Sequence, residues 1–184
     1  MSDSPKKPNS ALSADMERRC RRHNLTTSWA RWRFFLAEPQ YRTLFWWRLA
    51  RAGGPLSSLF RRLYLRSSRS SGLEINTREL GGGVIMPHWG RIILNAESIG
   101  RDLYVLHNVT VGNDYTTGLP VLGDDVFLGT GCTVLGAICI GDHVVVGAGS
   151  TLMTDVPSCS LVAGNPAKVV RSIETDYIRR MIGY

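Results

Sequence analysis

The chain has no apolar run of the roughly 18 residues that a membrane-spanning helix requires, so no segment reads as a transmembrane helix. Cysteine is scarce. The four present, Cys20, Cys132, Cys139 and Cys159, form no Cys-x-x-Cys pair and no metal-ligand spacing. They suit a reducing cytoplasm, and no metal is expected. Residues 1–14 lack the apolar centre of a signal peptide and, rich in Ser, Pro and Lys, are expected to be a disordered tail. No nucleic-acid recognition motif accompanies the basic residues, so nucleic acid is not an expected partner. What is present is 184 residues with an ordinary 43% hydrophobic content, enough for one principal domain and an appendage.

Charge is unevenly spread beneath the net +7. Residues 1–71 carry fifteen Lys and Arg against four Asp and Glu, whereas residues 72–170 carry four against nine. The basic charge therefore belongs to the segment 15–71, which reads as about three short helices punctuated by Pro39 and Gly53-Gly54-Pro55. Within it, Tyr41, Leu44, Phe45, Arg48, Leu49 and Ala52 share one helical face, broadened by Trp46 and Trp47. Such a face packs on a neighbouring element, forms a subunit contact, or docks peripherally on the anionic inner face of a membrane.

The strongest signal lies after this segment. A branched or aliphatic residue returns every sixth position at Leu122, Leu128, Val134, Ile140, Val146 and Leu152, with an earlier run at Ile93, Ile99, Val105 and Val111. Glycine often follows directly, as at Gly100, Gly123, Gly129, Gly141 and Gly147. A second small or apolar series, Leu103, Val109, Val126, Cys132, Ile138 and Val144, sits four places after six of these markers. Neither an amphipathic helix nor a half-buried strand writes a period of six. A parallel β-helix does: each turn stacks on the last around a narrow interior, with glycine easing the corner. The fold expected is mainly β, with a repeat domain over 72–171, the helical segment before it and a short helix within 172–184. Glu174 and Asp176 fall in the first turn of that helix and Arg179-Arg180 in its last. The beat is broken once, between Val111 and Leu122, where Asn113 to Pro120 form a loop thrown out from the coil.

A β-helix is a scaffold, so chemistry must come from placed side chains. Of four histidines, His23 and His143 read as solvated. His88 and His107 are nineteen apart, close to three hexads, and should share an edge on adjacent turns. His88 lies in the irregular stretch Gly81 to Gly90, and irregularity on a regular scaffold marks functional sites. A histidine can take a proton from a hydroxyl as it attacks a carbonyl, and a carboxylate can orient it. Glu74, fourteen residues earlier and roughly one coil away, is the candidate orienting group. Taken alone, a His–Glu pair is as readily structural.

The segments Gly72-Leu-Glu-Ile-Asn76, Met86-Pro-His-Trp-Gly-Arg-Ile-Ile-Leu-Asn95 and Leu106-His-Asn-Val-Thr-Val-Gly112 resemble the serine O-acetyltransferase branch of the hexapeptide-repeat acyltransferases. Val162 to Arg171 is similar to the closing segment of that superfamily, and Pro39 to Leu49 resembles the helical lead-in of short exopolysaccharide-type members. The resemblance implies a left-handed β-helix, a homotrimer or dimer of trimers, and acetyl-CoA bound between subunits. It implies that His88 is the catalytic base and Glu74 its orienting acid. Gly112, Thr130, Gly131, Ala148, Gly149 and Lys168 would line the coenzyme arm, with Arg171 or Lys168 near its phosphates. Beside that resemblance, His107 is a candidate acceptor-binding residue or second base, Trp89 and Tyr115 are candidates to stack on a sugar face or simply to pack, and Asp114 is a loop candidate for the acceptor side.

Two departures bear on the acceptor. The family's serine enzymes have aspartate before the catalytic histidine, where this chain has Pro87. They also carry an Arg-His pair in the loop that here reads Asn-Asp-Tyr-Thr-Thr-Gly-Leu-Pro. A free amino acid needs paired charges, so a sugar hydroxyl of a surface polysaccharide or its precursor is the expected acceptor, with L-serine as the alternative. Two rivals from other classes are a zinc enzyme like γ-class carbonic anhydrase, which needs a third histidine in phase, and a non-catalytic scaffold.

Overall fold

Marker and second-series residues fall two apart, as in Leu103/Val105, Val126/Leu128 and Cys132/Val134, so both point to one side of a short extended segment. Three such segments and three corners make one coil. In the computed structural model, which describes residues 8–21 and 27–183, the coils build three sheets. Sheet A holds β1 (Leu73–Ile75), β3 (Ile92–Leu94), β6 (Val109–Gly112), β9 (Thr133–Leu135) and β12 (Thr151–Leu152). Sheet B holds β2 (Glu79–Leu80), β4 (Ser98–Ile99), β7 (Val121–Leu122) and β10 (Cys139–Ile140). Sheet C holds β5 (Tyr104–Val105), β8 (Phe127–Leu128), β11 (Val145–Val146), β13 (Ser160–Gly164) and β14 (Ala167–Ser172). All pairings are parallel except β13 with β14, giving a solenoid of about five turns consistent with a left-handed β-helix.

The interior follows the repeat with one exception. Ile99, Val105, Val111, Leu122, Leu128, Val134, Ile140, Val146 and Leu152 are buried, as is the second series. Ile93 is not: Leu94 pairs with Val111 and Ile75, while Ile93 stands outward between Glu74 and Thr110. The true inward pair on that strand is Ile92 and Leu94, and the spacing from Leu94 to Ile99 is five. Burial also pushes the Cys132 thiol up to about 12, consistent with a small core residue. The glycines that follow the markers serve close approach more than turning. A Cβ on Gly81, Gly100 or Gly141 would lie within about 2.5 Å of the next coil's backbone. Positive φ falls further along the corners, at Asp102, Asn108, Asp125 and His143.

The helices are α1 (Pro8–Cys20), α2 (Ser28–Ala37), α3 (Pro39–Arg51) and α4 (Ser57–Ser71). The breaks at Pro39 and Gly53-Gly54-Pro55 fall where expected. Helix α1 begins inside the stretch expected to be a disordered tail, because Leu12 is buried in the core and Asp15 is fully enclosed. His23 lies outside the described residues. The face of α3 is packed: Tyr41, Leu44, Trp47 and Arg48 are buried, and Trp46 stacks on Phe60. At the other end the chain stays extended through Ser172, which pairs with Ser160, so α5 (Tyr177–Ile182) starts later than expected. Glu174 precedes that helix, and with Asp176 it pairs with Arg180.

The helices close the first coil, whose backbone has no strand beneath it. Asp15 accepts from the N–H groups of Gly83 (2.7 Å) and Val84 (2.9 Å). Arg48 donates to the carbonyls of Leu80 and Gly81 and pairs with Asp15 at 3.0 Å. Tyr64 Oη accepts from Ile75 N and donates to Ile75 O, and Tyr41 Oη accepts from Met86 N at 2.8 Å. These side chains stand in for a missing coil, satisfying groups that cost free energy if buried unpaired. Burial pushes the Asp15 carboxyl up; Arg48 and the two N–H groups oppose it.

Removing one partner of this enclosed pair strands the other. Asp15→Ala is therefore expected to destabilise the fold by about 3–5 kcal/mol in urea unfolding. Arg78→Ala, which breaks the exposed Arg78–Glu97 pair, is expected to cost less than about 1 kcal/mol. Equal effects would show that the cap carries no special weight.

Candidate active site

The corner joining sheet C to sheet A carries the candidate residues in a column. The strand register stacks Gly72, Arg91, Asn108, Gly131 and Gly149 at one level. At the adjacent level stand Gly90, His107, Thr130 and Ala148, and backbone bonds tie the coils, Gly131 N to His107 O (3.1 Å) and Gly149 N to Thr130 O (2.8 Å). Gly131 and Gly149 take positive φ, and a Cβ on either would meet open space. The outer side of this edge is therefore small and smooth.

His88 departs from the column. Ile85 bridges Tyr104 and Ile92 pairs with Val109, so first-coil residues 85 to 92 run opposite 104 to 109. The first coil thus has two extra residues at this corner, and they push His88 and Trp89 outward, where both are exposed. The bulge is held at two points by the helical cap: Tyr41 takes Met86 N, and Trp89 Nε1 donates to Glu38 Oε2 at 2.6 Å. The His88 and His107 rings meet edge to face, with centroids 5.9 Å apart and planes at 85°. His107 Nδ1 is buried with no hydrogen-bond partner in the structure. Gly90 makes this possible, since a Cβ there would lie 2.5 Å from His107 Cβ.

The other sequence-predicted residues are distributed unequally around this pair. Glu74 is exposed at the centre of β1, where its carboxylate accepts from Asn76 Nδ2 (2.7 Å); no hydrogen bond joins it to His88 among the described residues. Thr130, Gly131, Ala148 and Gly149 line the column, and Lys168 pairs with Ala163 on the hairpin above it. Arg171 lies further along the same hairpin, its guanidinium 4.8 Å from the Tyr177 ring centroid. Gly112 sits at the opposite end of sheet A, pairing with Leu135.

The loop begins there and is self-ordered. Asp114 accepts from the backbone N–H and hydroxyl of both Thr116 and Thr117, at 2.8–2.9 Å, which holds its carboxyl well below the usual range. Thr117 in turn accepts from Ala137 N of the next coil. Tyr115, at φ +65 and almost wholly exposed, forms the tip. Two hollows lie elsewhere, one between α1, α3 and sheet B, the other beneath α5. Among the described residues no three His, Cys, Asp or Glu side chains gather as a metal site.

Residues 120–153 match the bacterial transferase hexapeptide (six repeats) family. The serine acetyltransferase of Helicobacter pylori is 34% identical over 150 residues, covering 76% of this chain and 86% of that protein. Serine acetyltransferase 2 of Arabidopsis thaliana is 38% identical over 117 residues, which is 61% of this chain but only 36% of the plant protein. Among solved structures, the Neisseria gonorrhoeae serine acetyltransferase superposes with a TM-score of 0.72 at 25% identity, covering 96% of this chain and 72% of that one.

The close approach at Gly90 supplies a test of the histidine pair. Gly90→Ala forces His107 aside and is expected to cost about 1–3 kcal/mol in denaturant unfolding, with altered imidazole resonances for His88 and His107. Gly131→Ala meets only its backbone strain, on the order of 1 kcal/mol, and is expected to leave those resonances in place. Unchanged imidazole resonances in Gly90→Ala would disprove the packing.

Proposed function

The chain belongs to the serine acetyltransferase family of hexapeptide-repeat acyltransferases, and we propose that it is an acetyl-CoA-dependent O-acetyltransferase with His88 as general base. The observation that carries this reading is the position of His88: on a bulge of an otherwise regular solenoid, beside His107, at the foot of a smooth corner column. His88 takes the proton of the acceptor hydroxyl as the oxygen attacks the thioester carbonyl. The tetrahedral intermediate collapses with loss of the coenzyme A thiolate, which His88 reprotonates. Backbone N–H groups at the corner are the candidate oxyanion donors. Glu74 is the proposed orienting carboxylate, a role that requires it to turn from Asn76. Thr130, Gly131, Ala148 and Gly149 let the pantetheine arm approach the backbone, with Lys168 and Arg171 for the phosphates and Gly112 contributing from a neighbouring subunit of a trimer or a dimer of trimers. His107, Trp89, Asp114 and Tyr115 are the proposed acceptor side; Asp114 serves there by shaping the loop, since its oxygens are already engaged.

L-serine is the first acceptor to consider, because the relatives carry that name. A sugar hydroxyl is the second reading, favoured by one specific feature: the loop presents Asn113, Asp114, Tyr115, Thr116 and Thr117 and no cation to pair with an amino acid's carboxylate. Coenzyme A thiol release with L-serine, set beside nucleotide sugars, decides between them. His88→Ala is expected to lower turnover by about 10²–10⁴-fold with the circular-dichroism spectrum retained, and Glu74→Ala by less. Full activity of His88→Ala would end the mechanism.

A peripheral contact with the inner face of the cytoplasmic membrane is proposed through α4. Residues 39–73 hold seven arginines and no acid, and the outward face of α4 sets Arg61, Arg62, Arg66 and Arg69 among exposed Leu59 and Leu65. Anionic headgroups and shallow leucine insertion fit that face. Flotation with phosphatidylserine vesicles is expected for the native chain and lost in Arg62→Glu/Arg66→Glu; failure of the native chain to float would remove the contact.

A further inference from the structure

The β-helix has few basic side chains. Residues 72–170 hold Arg78, Arg91, Arg101 and Lys168. Arg78 pairs with Glu97 and Arg101 with Asp124, each at 2.7 Å. Lys168 rides on the closing hairpin, beyond the last coil. Arg91 stands at the corner that carries His88, exposed and with no ion pair or hydrogen bond among the described residues.

Its place is specific. Arg91 follows Gly90, the glycine that His107 packs against, and comes three residues after His88. On the corner it stands between Gly72 below and Asn108 above. Gly72 sits at φ +72, and a Cβ there would come within 3.5 Å of Arg91 Cα, so no side chain crowds Arg91 from that side. Glu74, on the strand that Gly72 leads into, is bonded to Asn76 rather than to the guanidinium. An exposed guanidinium without an internal partner, three residues from a candidate base, suits an external oxyanion, which its fork binds through two parallel hydrogen bonds. The loop at the other end of sheet A supplies no cation for that purpose.

We propose that Arg91 is the acceptor-specificity residue, and that the acceptor is a hydroxyl compound bearing a carboxylate or phosphate that Arg91 holds while His88 faces the hydroxyl. The inference rests on the acetyltransferase reading. The shared chemistry is the oxyanion: the carboxylate of L-serine or the charged group of an acidic or nucleotide-linked sugar. A neutral acceptor loses this contact.

The test separates binding from turnover. Calorimetric titration of the native chain and of Arg91→Ala and Arg91→Lys uses L-serine, L-serinamide, UDP-glucuronate, glucose and coenzyme A. The native chain is expected to bind L-serine or UDP-glucuronate and to prefer it over the matching neutral compound, which tells the two sources apart. Arg91→Ala is expected to weaken that ligand about 10- to 100-fold, the range of a charge-assisted hydrogen bond, with Arg91→Lys between the two. Coenzyme A binding is expected to stay within about twofold, the spread of a residue making no contact. Equal affinity of native and Arg91→Ala chains for the anionic ligand overturns the proposal. So does binding of neither anion by the native chain, or a loss confined to coenzyme A. If the anion binds through Arg91 while acetyl-CoA releases no thiol with any acceptor, the anion site stands and the acetyltransferase reading falls.

Discussion

The structure depends on how the first coil is closed. A parallel coil stack satisfies each backbone group through the coil beside it, and its first coil has no such neighbour. The enclosed Asp15–Arg48 pair does that work at the centre of the edge, with Tyr64 and Tyr41 on either side. The pair is costly to bury, and it holds because every charged oxygen and nitrogen that faces the coil finds a backbone partner. The same cap reaches the bulge: Tyr41 holds Met86, and Glu38 holds Trp89. The bulge that carries His88 is thus held on both sides of that residue from the helical cap. Backbone preorganisation of this kind is what the proposed acid–base role of His88 calls for.

The cap also explains where the basic charge goes. Arg18 bonds Gly83 O and sits near Asp102 and Asp125, Arg48 is buried, and Arg51 meets Arg78 O. Those arginines read as cationic surface in composition, yet they are hydrogen-bond donors to a strand edge. The outward face of α4 keeps four arginines in solvent, Arg61, Arg62, Arg66 and Arg69, and further exposed ones stand at Arg21, Arg31, Arg33 and Arg42. A net charge of fifteen against four therefore overstates what residues 1–71 offer to a partner.

Much of the solenoid was legible because its period is enforced locally: each hexad repeats the same inward pair, and burial follows it from Ile99 to Leu152. The His88–His107 edge was legible for the same reason, since a separation of nearly three hexads returns the chain to one corner. What escaped depends on distant residues. Ile93 and Leu94 look alike in sequence, and only the pairing of Leu94 with Val111 sets the phase. Helix α1 is anchored by Asp15 to residues 68 and 69 positions away, beyond any local pattern. The β13–β14 hairpin reverses direction where the repeat has ended, so periodicity is silent about it. The bulge was visible as irregularity, but its size became countable only against the coil above. Arg91 carried no signal of its own, because an unpaired arginine is recognised only when the partners of the others are known.

Two of the three corners differ in the charge they present. Each coil needs a residue at positive φ at its corner, and Gly, Asn and Asp fill that conformation at least cost. Between sheets B and C the chain uses Asp102 and Asp125, then His143 and Cys159. Neighbouring Asp124 and Asp142 accept backbone N–H groups from the adjoining coil, so that edge is a ladder of carboxylates. Between sheets C and A the same need is met by Asn108, Gly131 and Gly149, with no carboxylate among them. Both edges solve one backbone problem, but with different electrostatic results. The first edge sets Asp102, Asp124, Asp125 and Asp142 against Arg18 and Arg101, whereas the second carries no carboxylate, runs toward Lys168 and has His88 and Arg91 at its foot, which suits the proposed polyanionic coenzyme. Local turn chemistry thus makes two edges of one solenoid electrostatically unlike, and the proposed ligand edge is the one without carboxylates.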